Sequence, residues 1–251
     1  MFKNILIEIG SAWRFTMRFF REVFRPRFEF YEFVRQCFYI GNRSLPLVAV
    51  TAFIMGLVIT IQSRPTLVEF GAQAWLPKMV SVSLIREIAP VITALICAGK
   101  IGSGIGAELG SMKVMEQIDA MDVSGTNPYK FLVVTRVMAT TLMIPFLAII
   151  ADAISLYGAF LGANIRGVVS WNLFWNQVFD TIVFGDFIPS FIKTFFFGFV
   201  IGMIGCYQGF NSNKGTEGVG QSANAAVVTS SLLVFLIDLL AVQITDLMNL
   251  N

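Results

Sequence analysis

The 251-residue sequence contains no histidine at all. Missing with it are the commonest general base and metal ligand in proteins, every HExxH zinc site and every Ser-His triad. Its three cysteines, Cys37, Cys97 and Cys206, lie far apart and form no CxxC pair. They read as small buried hydrophobes, with neither a disulfide framework nor a metal site implied. No GxxxxGK(S/T) occurs, so the chain has no P-loop of its own for nucleotide. Charge is scarce as well: charged residues make up 14%, against roughly 25% in soluble domains. A net charge of +2 gives no ground for a nucleic-acid partner. No internal repeat stands out, which weighs against an inverted-repeat transporter. Catalytic residues, a metal and a cofactor are therefore not expected.

What is abundant is apolar length. Hydrophobic residues make up 56% of the chain, in several runs near the ~20 residues a helix needs to cross a bilayer. The sequence predicts a polytopic all-α integral membrane protein, with a soluble apolar-cored domain as the remote alternative. Five spans are expected, at about 44–62, 79–105, 131–161, 187–207 and 226–248. The third contains Arg136 and Pro145 and is expected to tilt or kink. Basic residues cluster in the N-terminal segment (Lys3, Arg14, Arg18, Arg21, Arg25, Arg27, Arg35 and Arg43), with Lys113, Lys130 and Lys214 in alternate connections. The other connections hold only Arg64, Lys78 and Arg166. The positive-inside rule then puts the N-terminus in the cytoplasm and, after five spans, the C-terminus outside. Trp171, Phe174, Trp175 and Phe179 in the outer 163–186 loop suit a membrane-surface belt.

Residues 1–43 do not read as a signal peptide, since arginines run throughout and no apolar h-region is present. Arg14, Arg18, Arg21 and Arg25 form one narrow helical stripe, and Trp13, Met17, Phe20 and Phe24 form a second about 100° away. Phe15, Phe19 and Val23 fill the back. Such a helix lies in the membrane interface, with arginines toward anionic headgroups. Pro26 is expected to end it, and an aromatic second piece follows through Phe28, Phe30, Tyr31, Phe33, Phe38 and Tyr39.

The stretch LIREIAPVITALICAGKIGSGIGAELGSMKVMEQIDAMDVSGTNP, residues 84–128, organises the rest. It begins as an apolar helix carrying Arg86 and Glu87. Intramembrane charges cost at least ~2.5 kcal/mol each, so they normally face a partner or a wet cavity. These two neighbours point about 100° apart and do not simply neutralise each other. A polar gate and a structural ion pair with Asp152 or Asp238 are both open readings. Pro90 cannot bond the carbonyl of Arg86, which predicts a kink there. Gly102, Gly106 and Gly110 are spaced four apart, as are Gly158 and Gly162, and Gly198 and Gly202, a pattern of closely packed membrane helices. Residues 107–124 are too polar to span. On one ideal helix Glu108, Glu116, Asp119 and Asp122 fall within an arc of about 120°, while Val114, Ile118 and Met121 point away. A solvated acidic face is the plain reading; a helix set into a partner's groove is the functional one.

These residues resemble the MlaE-type permease family of Mce/Mla lipid-transport ABC systems. The resemblance covers roughly residues 40–248. It rests on LIREIAPVITALICAGKIGSGIGAELGSMKVMEQIDAM, on Asn127-Pro128 and on GTEGVGQSANAAVV at 215–228. Lys100 and Asn224 depart from the family pattern, where arginine is usual at the first and frequent near the second. The resemblance implies an interfacial region at 1–43 and a permease domain at 44–251 with five transmembrane helices and a cytoplasmic coupling helix at about 107–124. It implies a homodimer in the bacterial inner membrane, cytoplasmic ABC ATPase subunits, a periplasmic MCE-domain hexamer and a small STAS-type regulatory subunit. The cargo would be phospholipid moved between inner and outer membranes. Carried over by motif, Glu108, Met112, Lys113, Glu116, Gln117, Asp119 and Asp122 would meet the ATPase. Gln62, Arg64, Arg86, Glu87, Lys193 and Asp238 would line the lipid cavity and its gate, with Arg86 or Arg64 meeting the headgroup. A proton-coupled secondary transporter using Glu87, Asp152 and Asp238, and a membrane scaffold, are the competing readings.

Overall fold

A computed structural model describes residues 2–25, 28–165, 167, 169–213 and 215–247. Among them every regular element is helical. Helix α1 runs Phe2–Val23, α2 Phe30–Glu69, α3 Gln73–Val114, α4 Gln117–Val123 and α5 Tyr129–Ile165. They are followed by α6 Trp171–Thr181, α7 Phe184–Phe210 and α8 Thr216–Leu247. Five of these, α2, α3, α5, α7 and α8, are long and apolar enough to cross a membrane. Pro26, expected to end α1, lies outside the described residues, as do Arg27, Arg166, Lys214 and residue 248 at the end of the last expected span.

Two expectations about helix boundaries are corrected. The aromatic piece after Phe28 is no separate element: α2 takes it in and continues for 40 residues through Pro46 to Glu69. The single helix expected at 107–124 is two helices, because Glu116 adopts the left-handed conformation at φ 58°. That conformation costs a non-glycine residue roughly 1–2 kcal/mol; around it the Glu116 N–H bonds the Lys113 carbonyl at 3.1 Å and Lys113 reaches Asp119 at 2.9 Å, an exposed pair that contributes little.

The kink expected at Pro90 takes the form of a π-helical turn over Leu84–Ile88, in which the Ala89 N–H bonds the Leu84 carbonyl. Widening the turn re-houses backbone groups that a proline cannot serve. Further π-helical turns occupy Ala98–Gly102 and open α5 at Tyr129–Val134.

The chain divides into two compact units, and each spanning helix contributes a portion to both. The first comprises Met1–Ile40, Cys97–Met143 and Gly198–Leu233. There α1 packs through Phe19 and Phe15. The Phe15 ring meets Tyr129 at 4.9 Å and Tyr207 at 5.5 Å between centroids, edge to face, a preferred aromatic geometry. Phe19 meets Phe199 at 5.6 Å. Outward stand Trp13, Met17, Phe20 and Phe24, with Arg14, Arg18, Arg21 and Arg25 exposed beside them. The small-residue spacings are contact surfaces within one chain. A Cβ on Gly209 would come 2.9 Å from the Gly106 carbonyl oxygen, and one on Gly106 would come 3.2 Å from Ala226.

The second unit comprises Gly41–Ile96, Ile144–Phe197 and Val234–Asn251. Ser170 caps α6 by accepting the Leu173 N–H, as N-cap serines do. This fixes the entry of α6, whose Phe174 and Val178 sink among Leu76, Val80, Leu84, Leu156, Ala159 and Ala163. Trp171 and Phe179 remain exposed. Helices α2 and α5 cross closely: a Cβ on Gly56 would stand 1.9 Å from the Ser155 carbonyl oxygen, and one on Gly158 2.4 Å from that of Phe53. Backbone cannot yield by such amounts locally. Gly56→Ala is expected to cost about 3 kcal/mol, the upper range for overpacking, read as a lowered Tm of the detergent-solubilised protein; an unchanged Tm would deny that crossing.

Candidate functional site: a charged cavity and an exposed acidic turn

In the second unit a lysine is buried with two carboxylates around it. Lys193 of α7, its side chain 4% exposed, places Nζ 2.6 Å from Glu87 Oε2 and 2.8 Å from Asp238 Oδ1. Alongside, Arg86 Nε lies 2.5 Å from Asp186 Oδ1. Helix periodicity assembles the group. Asp186, Ser190 and Lys193 follow i, i+4, i+7 and share one face of α7. The Ser190 hydroxyl donates to the Ile85 carbonyl at 2.7 Å, inside the π-helical turn that carries Arg86 and Glu87. Arg86 and Glu87 diverge as adjacent helix residues must, and each meets its own partner. Their counterions differ from those expected: Asp186 takes Arg86, and Asp238 reaches Lys193. Among the described residues Asp152 forms no ion pair with either, and its Oδ1 is buried without a hydrogen-bond partner.

The Arg86–Asp186 and Lys193–Glu87 pairs open onto one cavity of about 350 Å³, whose wall includes Arg86, Glu87, Asp186, Ser190, Lys193, Thr245 and Asp246, with Pro189, Ala241 and Val242 as apolar surface. Paired charges flanked by apolar wall can exchange partners with an incoming charged group. Of the six residues expected to line a cavity, Arg86, Glu87 and Lys193 do so together, while Asp238 bonds Lys193 without being part of that wall. Gln62 and Arg64 do not join them. Gln62 is exposed, and Arg64 donates to the Ala163 carbonyl at 3.0 Å beside a separate cavity of about 480 Å³ with Glu69 and Gln73. Sequence reading missed Asp186 and Ser190. Their spacing from Lys193 was the available signal.

The first unit holds the acidic segment. Glu116, Gln117, Asp119 and Asp122 are exposed, Met112 and Lys113 half-buried, and Ile118 buried. Glu108 does not share their arc. It sits beyond the turn, 2.8 Å from Arg136, whose side chain is only 3% exposed. Met115 and Val123, 58% and 91% exposed, add apolar surface beside the carboxylates, which a reading based on one ideal helix could not find.

Five apolar helices, an interfacially patterned first helix and a charged cavity on spanning elements define a multi-pass α-helical membrane permease. Comparison with known proteins gives the family. The model of the family described as permease MlaE matches residues 33–244, and the chain belongs to it. A probable ABC transporter permease protein of Rickettsia felis is 35% identical over 237 residues, 94% of this chain and 92% of that one. A probable ABC transporter permease protein of Synechocystis is 34% identical, covering 91% of this chain and 87% of its own length. The intermembrane phospholipid transport system permease protein MlaE of Haemophilus influenzae is 32% identical over 213 residues, 84% of this chain and 81% of that one.

Proposed function

We propose that this chain is the permease subunit of an ABC transporter that moves phospholipid between the inner and outer membranes of a diderm bacterium. It sits in the inner membrane as a homodimer, N-terminus cytoplasmic and C-terminus periplasmic, with residues 1–43 at the interface and 44–251 as the permease proper. ATP is hydrolysed by cytoplasmic partner subunits, and a periplasmic MCE-domain hexamer receives or delivers the lipid; a small STAS-type subunit completes the assembly. The observation that carries this reading is the composition of α3. It bears Arg86 and Glu87 on the cavity wall, runs unbroken to Val114, and ends at the exposed acidic turn.

The mechanism follows from that continuity. Closure of the ATPase on nucleotide pushes the surface made by Glu116, Gln117, Asp119 and Asp122, with Met115 and Val123 as its apolar part. Met112 and Lys113 brace the turn, and Glu108 holds α3 to Arg136. Motion along α3 shifts Arg86 and Glu87 against Asp186 and Lys193. Ion pairs that had accepted a headgroup re-form with each other and release it. Gly102, Gly106 and Gly110 let α3 slide closely past its neighbours. Proton coupling through Glu87, Asp152 and Asp238 has less support, since Lys193 holds both Glu87 and Asp238 and the relatives are ABC permeases.

The test is reconstitution of the permease with its ATPase in vesicles containing fluorescent phospholipid. ATP is expected to drive lipid transfer to an acceptor, and an ATPase lacking its catalytic glutamate to abolish it. Transfer driven by a pH gradient without the ATPase would overturn the proposal.

A further inference from the structure

The loop that follows the acidic turn is tied to the interfacial helix by side chains that the transport reading leaves unused. Asn127 Nδ2 donates to Glu22 Oε2 at 3.1 Å, while Asn127 Oδ1 accepts the N–H groups of Tyr129 and Lys130 at 3.1 and 3.3 Å. Glu22 is 4% exposed, and its other oxygen accepts from Arg25 at 2.7 Å. Lys130, 8% exposed, donates to the Arg25 carbonyl at 2.9 Å, at the end of α1. The Tyr129 hydroxyl donates to the Phe15 carbonyl, and the Arg18 guanidinium lies 4.5 Å above the Tyr129 ring. A buried carboxylate and a buried lysine are costly unless their partners are held in place. This network therefore fixes α1 against the opening of α5, just after α4.

We propose that Glu22 and Asn127 are positioning residues that make α1 and the acidic turn one body, so that seating α1 on an anionic lipid surface sets the turn in the place where the ATPase engages it. The inference rests on the proposed docking of that turn. The outer face of α1 supplies the lipid contact: Trp13 and Met17 are apolar and exposed, and Arg14, Arg18 and Arg21 stand beside them, where arginines are drawn to an anionic surface. Glu22 and Asn127 carry that placement inward because one side chain bonds α1, the loop and the first turn of α5 together.

The complex of permease and ATPase, reconstituted in phosphatidylcholine vesicles and in equal mixtures of phosphatidylcholine and phosphatidylglycerol, reads the effect as a ratio of ATP hydrolysis rates. The wild type is expected to hydrolyse at least fivefold faster on the anionic vesicles, the factor that ~1 kcal/mol from a single arginine supplies. Asn127→Asp keeps the oxygen that caps α5 and sets a carboxylate against Glu22, so the ratio should fall to about one. Adding Glu22→Gln restores a donor to that carboxylate, and the double variant should regain the wild-type ratio. A merely structural role would lower hydrolysis equally on both kinds of vesicle and leave the ratio at its wild-type value. The ratio should also fall to about one in Arg14→Gln/Arg21→Gln; a wild-type ratio there would assign the lipid effect to the transport cavity and overturn the proposal. So would a wild-type ratio of one, or an Asn127→Asp variant that behaves as wild type. Failure of the docking reading shows separately, as undiminished ATPase copurification when the acidic turn is reversed in charge.

Discussion

Lys193→Met is expected to destabilise the permease by about 1–3 kcal/mol, less than for a fully buried pair because Glu87 and Asp238 keep 44% and 19% of their side chains exposed. The substitution leaves Glu87 and Asp238, now 2.6 and 2.8 Å from Nζ, as two carboxylates without their shared cation inside a spanning segment. Loss of folded protein in membrane extracts measures that cost. A companion variant separates stability from function. Lys193→Met with Glu87→Gln and Asp238→Asn removes all three charges together, and neutralising a whole buried network is often tolerated. The triple variant should accumulate near wild-type levels yet fail to sustain ATP-driven lipid transfer. Normal transfer by this variant would make the cluster a structural device only.

The second large effect concerns the acidic turn. Glu116→Lys with Asp119→Lys changes the local charge by four units on exposed positions, where folding is little affected. Against a basic groove such a reversal costs several kcal/mol of binding, so copurification of the ATPase should fall at least tenfold while the permease keeps its Tm. Asp119→Lys also removes the Lys113–Asp119 pair. Asp119→Asn is the control for that loss and should reduce copurification far less. Equal recovery of ATPase with the double reversal would remove the turn from the interface.

Much of this was legible because membranes impose strong rules. Apolar length found the five spans, and helical periodicity set Trp13, Met17, Phe20 and Phe24 on a different face from Phe19, though which face packs inward was visible only in the structure. The small-residue spacings marked real helix contacts, although Gly56, the tightest crossing, belongs to no repeat and passed unnoticed. Ion-pair partners were harder. Arg86 pairs with Asp186, a residue at the start of a span that reads as an ordinary solvated helix end. Choosing among Asp152, Asp186 and Asp238 requires knowing which helices adjoin α3, which periodicity within one helix cannot supply. The left-handed Glu116 was hidden for another reason. A glycine would have announced the break, whereas a glutamate held there by neighbouring bonds looks like helix. That single residue separates Glu108 from the other acidic positions.

Everything proposed for the transport cycle requires the turn at Glu116 to face the cytoplasm. Ser124, exposed just beyond α4, offers the most direct check. Cys37 is replaced by serine, Cys97 and Cys206 stay buried, and Ser124→Cys is exposed to a membrane-impermeant maleimide. Labelling only in inverted vesicles is the expected result; labelling of intact spheroplasts would contradict it.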